Sequence, residues 1–295
     1  MNTLVWQQKH LQELQHRFDA LRALPDGILT EQTDGPHHIQ IVKHKGQIFF
    51  YFIDAGTGDL VGPMSRLALD TPLHLLAEYT QSAMLTLLWR PQPARICLLG
   101  LAGGRLSLLF YHLFPEMLID NIDVDPTAAT IASTYFGLTF DERQRLTLCD
   151  ARAFLHEQAV PNSYDIVVMD AFSDSSDDLD HLATCEFYAD VRRCLVRDGV
   201  LAVNLLKSDQ HFFEKAKTLL ESFRHVLVAE YKRSMVMFGS DQRAPTEIRR
   251  RAEQLQRRHN FSFPFVERAM DLQLYRTTEA AKARPLREVS VLRDA

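Results

Sequence analysis

The stretch that most constrains what this chain can fold into runs from Ala94 to Pro126, ARICLLGLAGGRLSLLFYHLFPEMLIDNIDVDP. It opens with a short apolar run, Ile96 to Leu99, and turns through Gly100 to Gly104. It then takes on helical spacing from Leu106 to Phe114 and ends a second apolar run on Asp123. A strand, a tight glycine turn, a helix and a second strand in that order suit a phosphate or a nucleoside. A glycine turn alone is common to many folds. An acid about twenty residues further on, at the end of the next strand, is the acceptor a ribose hydroxyl needs, and it narrows the ligand to a nucleoside.

The residues that follow repeat the same rhythm. Strand-like runs begin near Arg95, Leu118, Leu146, Tyr164, Gly199 and His225, each but the last followed by a helix-like stretch. Alternation at this spacing predicts a mostly parallel sheet with helices on both faces. HVLVAEY and SMVMFGS (Ser234 to Ser240) are separated only by Lys232-Arg233, too short for a parallel crossover, so they are expected to pair as an antiparallel hairpin. The expected fold class is α/β: a class I methyltransferase-like, Rossmann-like sheet, mostly parallel, with a terminal antiparallel hairpin.

Ahead of this sheet, Leu4, Leu11, Leu14, Phe18 and Leu21 recur at helical spacing until Pro25-Asp26-Gly27 breaks the pattern, which predicts an amphipathic first helix. From His37 to about Leu69 the runs become short and β-rich, punctuated by Lys45-Gly46 and Gly56-Thr57-Gly58, as in a small antiparallel domain. Thr71-Pro72 reads as the opening of a helix, with Pro72 at its first position. Beyond Gly239, TEIRRRAEQLQRRH reads as a solvated helix rather than a nucleic-acid face, because Glu247 and Glu253 interleave with its arginines. FSFPFV is expected to dock back, and the residues from about Thr277 to form a loose tail. The chain is thus divided into residues 1–70 (first helix and small β domain), 71–245 (nucleoside-binding domain) and 246–295 (helical extension and tail).

The net charge of -5 supplies no basic field, which argues against nucleic acid as a partner. Cys97, Cys149, Cys185 and Cys194 contain no C-x-x-C pair and read as free thiols of a reducing compartment. The N-terminal residues lack an apolar core with a cleavage site, and no run reaches the length of a bilayer span, so a cytoplasmic protein without a membrane partner is expected.

In an open parallel sheet the ligand lies beyond the carboxyl ends of the strands. Those ends carry the glycine turn, Asp123, Asp150 and Asp170. An acid after a strand also caps helices, most obviously Asp150 before Ala151-Arg152 and Asp125 before Pro126. Three acids in register with a glycine turn favour ligand binding. Asp123 would accept from the ribose hydroxyls and Asp150 from an exocyclic amine, which selects adenine. Asp170 would take a proton from an attacking amine or hold a cationic substrate. The acid-rich loop after it, with Asp174, Asp177, Asp178 and Asp180, reads by default as solvated, and His181 as a surface histidine. No histidine pair has metal-ligand spacing, and no metal is expected.

Taken together, LLGLAGGRL, IDVDP, LCDARAFL, YDIVVMDAFSD and EFYADVRRCLVRDGVLAVNL, spread over about His37 to Ser240, resemble the spermidine synthase family of aminopropyltransferases, as a divergent member. The resemblance implies that Gly100, Ala102, Gly103 and Gly104 cradle the donor and that Asp123 and Val124 meet its ribose. By the same resemblance Asp150 and Ala151 recognise adenine, and Asp170 deprotonates the attacking amine. It implies decarboxylated S-adenosylmethionine as donor, a small-molecule amine such as putrescine or another polyamine as acceptor, and a homodimer or homotetramer joined through the N-terminal β domain. The departures concern the acceptor half and the turn. The family has an Asp inside the glycine turn, where Gly103 stands here, and Arg105 follows, a change that favours the carboxylate of intact S-adenosylmethionine unless Arg105 is simply a surface residue in the first turn of the helix. Glu78-Tyr79 stand where the family has Tyr-His, and His37-His38 where it has Tyr-Gln. His38, Glu78, Tyr79 and Asp174 are therefore the candidates for the acceptor pocket. A methyltransferase and a non-catalytic nucleoside-binding protein are the alternatives.

Overall fold

The computed structural model describes residues 3–33, 38–54, 56–171, 177–242, 247–284 and 286–294. Helix α1 (Thr3–Ala23) turns Leu14, Phe18 and Leu21 to one buried face and ends just ahead of the Pro25-Asp26-Gly27 breaker. An antiparallel sheet follows in the spatial order β1 (Gly27–Gln32), β2 (Ile39–His44), β3 (Gln47–Ile53) and β4 (Leu60–Ala68). β2 and β3 alternate as a half-buried sheet requires, with Ile39 and Ile41 facing inward beside Ile48, Phe50 and Phe52. Their turn residues Lys45 and Gly46 both have positive φ, 49° and 72°, as a two-residue type I′ hairpin demands. β1 is a strand that sequence patterning does not announce. GILTEQ has no fully buried position and owes its conformation to pairing with β2.

Residues 71–77 are not helical, contrary to the expected start at Pro72; the carbonyls of Pro72, His74 and Leu76 instead accept from the Arg105 and Arg66 side chains. Helix α2 (Glu78–Ala83) begins after them and tightens into a 3₁₀ turn, Met84–Leu88.

The main sheet then alternates β5 (Arg95–Leu99), α3 (Arg105–Leu113), β6 (Leu118–Asp123), α4 (Pro126–Phe136), β7 (Gln144–Leu148) and α5 (Ala151–Ala153). It continues with β8 (Tyr164–Met169), α6 (Cys185–Cys194), β9 (Leu195–Leu206), α7 (Phe212–Ser222), β10 (His225–Glu230) and β11 (Ser234–Ser240). The seven strands lie in the order β10-β11-β9-β8-β5-β6-β7, parallel except that β11 runs antiparallel to both its neighbours. Central β8 is buried at every position, as a strand covered on both faces must be. The inner face of the small sheet, α1, and residues of α3 and α4 form one continuous apolar cluster around Phe18, Phe50, Leu108 and Ile131.

At the C-terminal side, α8 (Ile248–His259) buries Ala252 and Leu255 and leaves Arg249, Arg250, Arg251, Arg257 and Arg258 exposed. Phe261, Phe263 and Phe265 dock into the core, where α9 (Phe265–Met270) starts. The expected loose tail is instead packed. Thr278 caps α10 (Glu279–Ala283), and the Leu292 carbonyl accepts from the Cys185 N–H while the Leu292 N–H donates to the Thr218 hydroxyl. Asp294 pairs with Arg152. All four cysteines are free, but only Cys97 and Cys194 are buried. Among the described residues no helix is long and apolar enough to cross a membrane.

Candidate active site

β5 pairs with β6 on one side and β8 on the other, so the strand order reverses about β5 and a crevice opens at the carboxyl ends of β5 and β8. The glycine turn enters this crevice. Gly100 has φ +93°, and a Cβ on it would lie 2.6 Å from the backbone oxygen of Asp170, so only glycine lets the turn cross the end of β8. At Gly103 the constraint is space. A Cβ there would come 2.7 Å from the Ser65 Cβ and 2.9 Å from the Phe136 ring, while the Gly103 N–H donates to Ser65 Oγ at 2.9 Å. The small sheet thus fills the point of the turn at which the resemblance implies an acidic side chain.

Asp123 binds the turn from the other side, accepting from the Leu101 N–H at 2.7 Å and the Asp125 N–H at 2.8 Å. Desolvation pushes its carboxyl up, and these backbone donors hold part of that rise back. Asp125 is the cap of α4, accepting from the Thr127 N–H at 2.8 Å.

Asp170 follows β8, the strand paired with β5, so its backbone lies against the glycine turn. Asn204 Nδ2, from near the carboxyl end of β9, donates to its Oδ1 at 3.1 Å, and the Tyr79 hydroxyl of α2 also donates to it. Desolvation nonetheless raises its carboxyl to about 7. The Tyr79 phenol is itself pushed well above its ordinary value by burial and by the adjacent acid. A carboxyl that changes charge near neutrality beside a cavity is suited to accept a proton.

The cavity measures about 780 Å³ and lies between the small sheet, the 76–80 segment, the glycine turn and the tip of the β10–β11 hairpin. Gly100, Ala102, Gly104, Asp123, Val124, Asp170, Glu78 and Tyr79 of the sequence-derived candidates line it. Gly103, His38, Asp150 and Ala151 lie outside its lining. Asp150 caps α5 through the Ala153 N–H at 2.9 Å and receives His181 Nε2 at 2.9 Å. Although desolvation raises it, that histidine bond holds its carboxyl below the usual range. Asp174 is outside the described residues. The wall also contains Ser65, Arg66, Asn204, Tyr231, Lys232 and Arg233, none of them singled out from sequence. Asn204 had a signal, being the one polar residue in the run LAVNLL. Ser65 and Arg66 had none.

Arg105 is the most unusual group here. It is only 6% exposed, its guanidinium donates to the carbonyls of Pro72 and His74, and its Nε and Nη1 have no partner among the described residues. Desolvation lowers it to about 10. Glu78, the nearby acid, is engaged elsewhere, with Arg268 Nη2 at 3.0 Å.

The seven-stranded sheet, its terminal hairpin and the glycine turn at the reversal of strand order define a class I methyltransferase-like protein. Within that class its sequence is similar, as a divergent relative, to polyamine aminopropyltransferases. It is 29% identical over 146 residues to a polyamine aminopropyltransferase of Vibrio vulnificus, a match covering 49% of this chain and about half, 48%, of that relative. It is 26% identical over 212 residues to a polyamine aminopropyltransferase of Chromobacterium violaceum, covering 69% of this chain and 80% of the relative. A second kind of relative is the eEF1A lysine and N-terminal methyltransferase of Mus musculus, 29% identical over 152 residues, covering 46% of this chain and 22% of that protein. A crystal structure of a probable spermidine synthase from Corynebacterium glutamicum shares the fold, with TM-score 0.67 and 18% identity over 92% of this chain and 98% of that one. No family model matches the chain.

Proposed function

We propose that this protein is a transferase acting on an adenosyl sulfonium donor, moving the aminopropyl group of decarboxylated S-adenosylmethionine to an amine such as putrescine or another polyamine. The observation that carries this is Asp170, held by Tyr79 and Asn204 in the wall of the cavity that the glycine turn and Asp123 also line. The amine nitrogen attacks the carbon next to the sulfonium as the carbon–sulfur bond breaks. Its electron pair stays on sulfur, methylthioadenosine leaves, and the proton of the attacking nitrogen passes to Asp170. Alignment supplies most of the acceleration, and proton acceptance contributes about 10²–10⁴-fold. Asp123 and Val124 are assigned to the ribose, and the N–H groups of the turn to the rest of the nucleoside. Asp150 and Ala151 keep an adenine role only if the ligand extends beyond the cavity. A homodimer or homotetramer through the small sheet, whose edge strand β1 exposes Ile28, belongs to the same proposal.

Methyl transfer from intact S-adenosylmethionine is the second possibility, supported by the buried guanidinium of Arg105 and the absence of space for an acid at Gly103. Incubation with each donor and a panel of amines separates them. Methylthioadenosine as the sole nucleoside product supports aminopropyl transfer, S-adenosylhomocysteine alone supports methyl transfer, and binding of neither donor in calorimetry removes both.

A further inference from the structure

We propose that the cavity binds a ligand carrying a carboxylate, received by the Arg105 guanidinium with Arg66 beside it. This rests on the reading of a transferase with an adenosyl sulfonium donor, but replaces either its decarboxylated donor or its plain diamine acceptor with a group that carries a carboxylate. Four cations line the cavity: Arg66, Arg105, Lys232 and Arg233. None of them is ion-paired among the described residues, whereas salt-bridge partners serve other basic groups throughout the chain. Arg105 and Arg66 converge on one segment, Arg105 through the carbonyls of Pro72 and His74 and Arg66 through that of Leu76 at 3.0 Å.

The acids of the same cavity are occupied. Glu78 is paired with Arg268, Asp123 accepts from the Leu101 and Asp125 amides, Asp125 caps α4, and Asp170 is held by Asn204 and Tyr79. A buried guanidinium with no anion bears an uncompensated desolvation cost, which a planar carboxylate relieves better than any other common group because it matches the guanidinium fork. An ammonium-ended ligand would instead meet this charge with the same sign. Gly103 cannot be replaced by an acid to rescue such a ligand without displacing Ser65.

The carboxylate can come from the donor, as in intact S-adenosylmethionine, or from the acceptor, as in an α,ω-diamino acid. Calorimetry with the wild-type protein distinguishes them. Methylthioadenosine, which lacks both carboxylate and amine, serves as the reference for the nucleoside site. If the donor supplies the carboxylate, intact S-adenosylmethionine should bind at least tenfold more tightly than decarboxylated S-adenosylmethionine. Arg105→Gln should erase that difference while leaving methylthioadenosine affinity unchanged. If the acceptor supplies it, the two donors bind alike, but ornithine binds the protein–methylthioadenosine complex at least tenfold more tightly than putrescine, and Arg105→Gln erases that preference instead. Equal or better binding of decarboxylated donor and plain diamine to the wild type, with methylthioadenosine bound, overturns the carboxylate proposal and leaves the transferase reading standing. Failure of methylthioadenosine itself to bind removes both. The wild-type comparisons hold even if Arg105→Gln does not fold, and Arg105→Lys, which keeps the charge but loses the fork, should retain less than half of the discrimination.

Discussion

The α-carbon of Gly100 faces the backbone carbonyl of Asp170 so closely that a methyl group on it would stand 2.6 Å from that oxygen. The turn proposed to receive the nucleoside and the acid proposed to take the proton are therefore set by one backbone contact. Gly100→Ala must move one or the other, and its positive φ adds strain. It should weaken methylthioadenosine binding roughly tenfold or more and lower turnover further, about the 10²-fold that a misplacement near 1 Å can cost. Calorimetry and steady-state kinetics on the same preparation check both.

Asp170 should appear in the pH profile. With its carboxyl near 7 and the ionised form required as base, kcat/KM should rise with pH through about 7 and level above it. Asn204→Ala removes a bond to the charged form and should shift this limb to higher pH. Asp170→Asn should abolish the limb and lower kcat about 10²–10⁴-fold.

The same group predicts a stability effect. In the unfolded chain an Asp titrates near about 4, so between there and about 7 the unfolded state has lost a proton that the folded state keeps. Folding is consequently disfavoured as pH rises through that window. Asp170→Asn should melt about 2–4 °C above wild type at pH 8, and the gain should vanish at pH 4. Calorimetric melting at the two pH values decides it.

A second pH effect runs the other way, because the groups behind it have lowered rather than raised pKa values. His10 of α1 and His112 of α3 lie Nδ1 to Nδ1 at 3.0 Å, both buried, with Trp6 stacked on His10. Desolvation lowers them to about 3 and about 4. Below about 6.5 the unfolded chain takes up protons that the folded pair refuses, so stability falls as pH drops. Between pH 7.5 and 5 the pair should cost about 2–4 kcal/mol, read as a lower urea midpoint, and a His10→Phe/His112→Leu double variant should lose much less over that interval.

Asp123→Ala should cut methylthioadenosine affinity by roughly tenfold or more, since it deprives both the ribose and the turn amides of Leu101 and Asp125 of their acceptor. Retained affinity would assign Asp123 to holding the turn alone.

The parallel sheet was legible because β5, β8 and the second half of β9 are apolar runs and strand-like stretches alternate with helix-like ones along the chain. The terminal hairpin was legible because Lys232-Arg233 leaves no room for a crossover. β1 was hidden, since an edge strand with no buried position carries no alternation. Pro72 misled because a proline suits a helix start, yet here the neighbouring carbonyls are taken by arginine side chains remote in sequence. Asp123 and Asp170 were readable as strand-end acids. Asp150 has the same local signature but serves as a cap bound to His181, a distinction that depends on where the cavity reaches. The pairing state of Arg105 could not be read at all, because the absence of an anion around a side chain is a property of the folded neighbourhood.

The bond from the Gly103 N–H to Ser65 Oγ joins the small sheet to the turn proposed to hold the donor. By thermodynamic reciprocity, a nucleoside that orders the turn must steady β4 by the same free energy with which β4 improves the nucleoside's affinity. The small sheet is then an allosteric handle: a contact that stiffens or loosens it far from the cavity should alter donor affinity without touching the donor, and donor binding should slow amide exchange along β4.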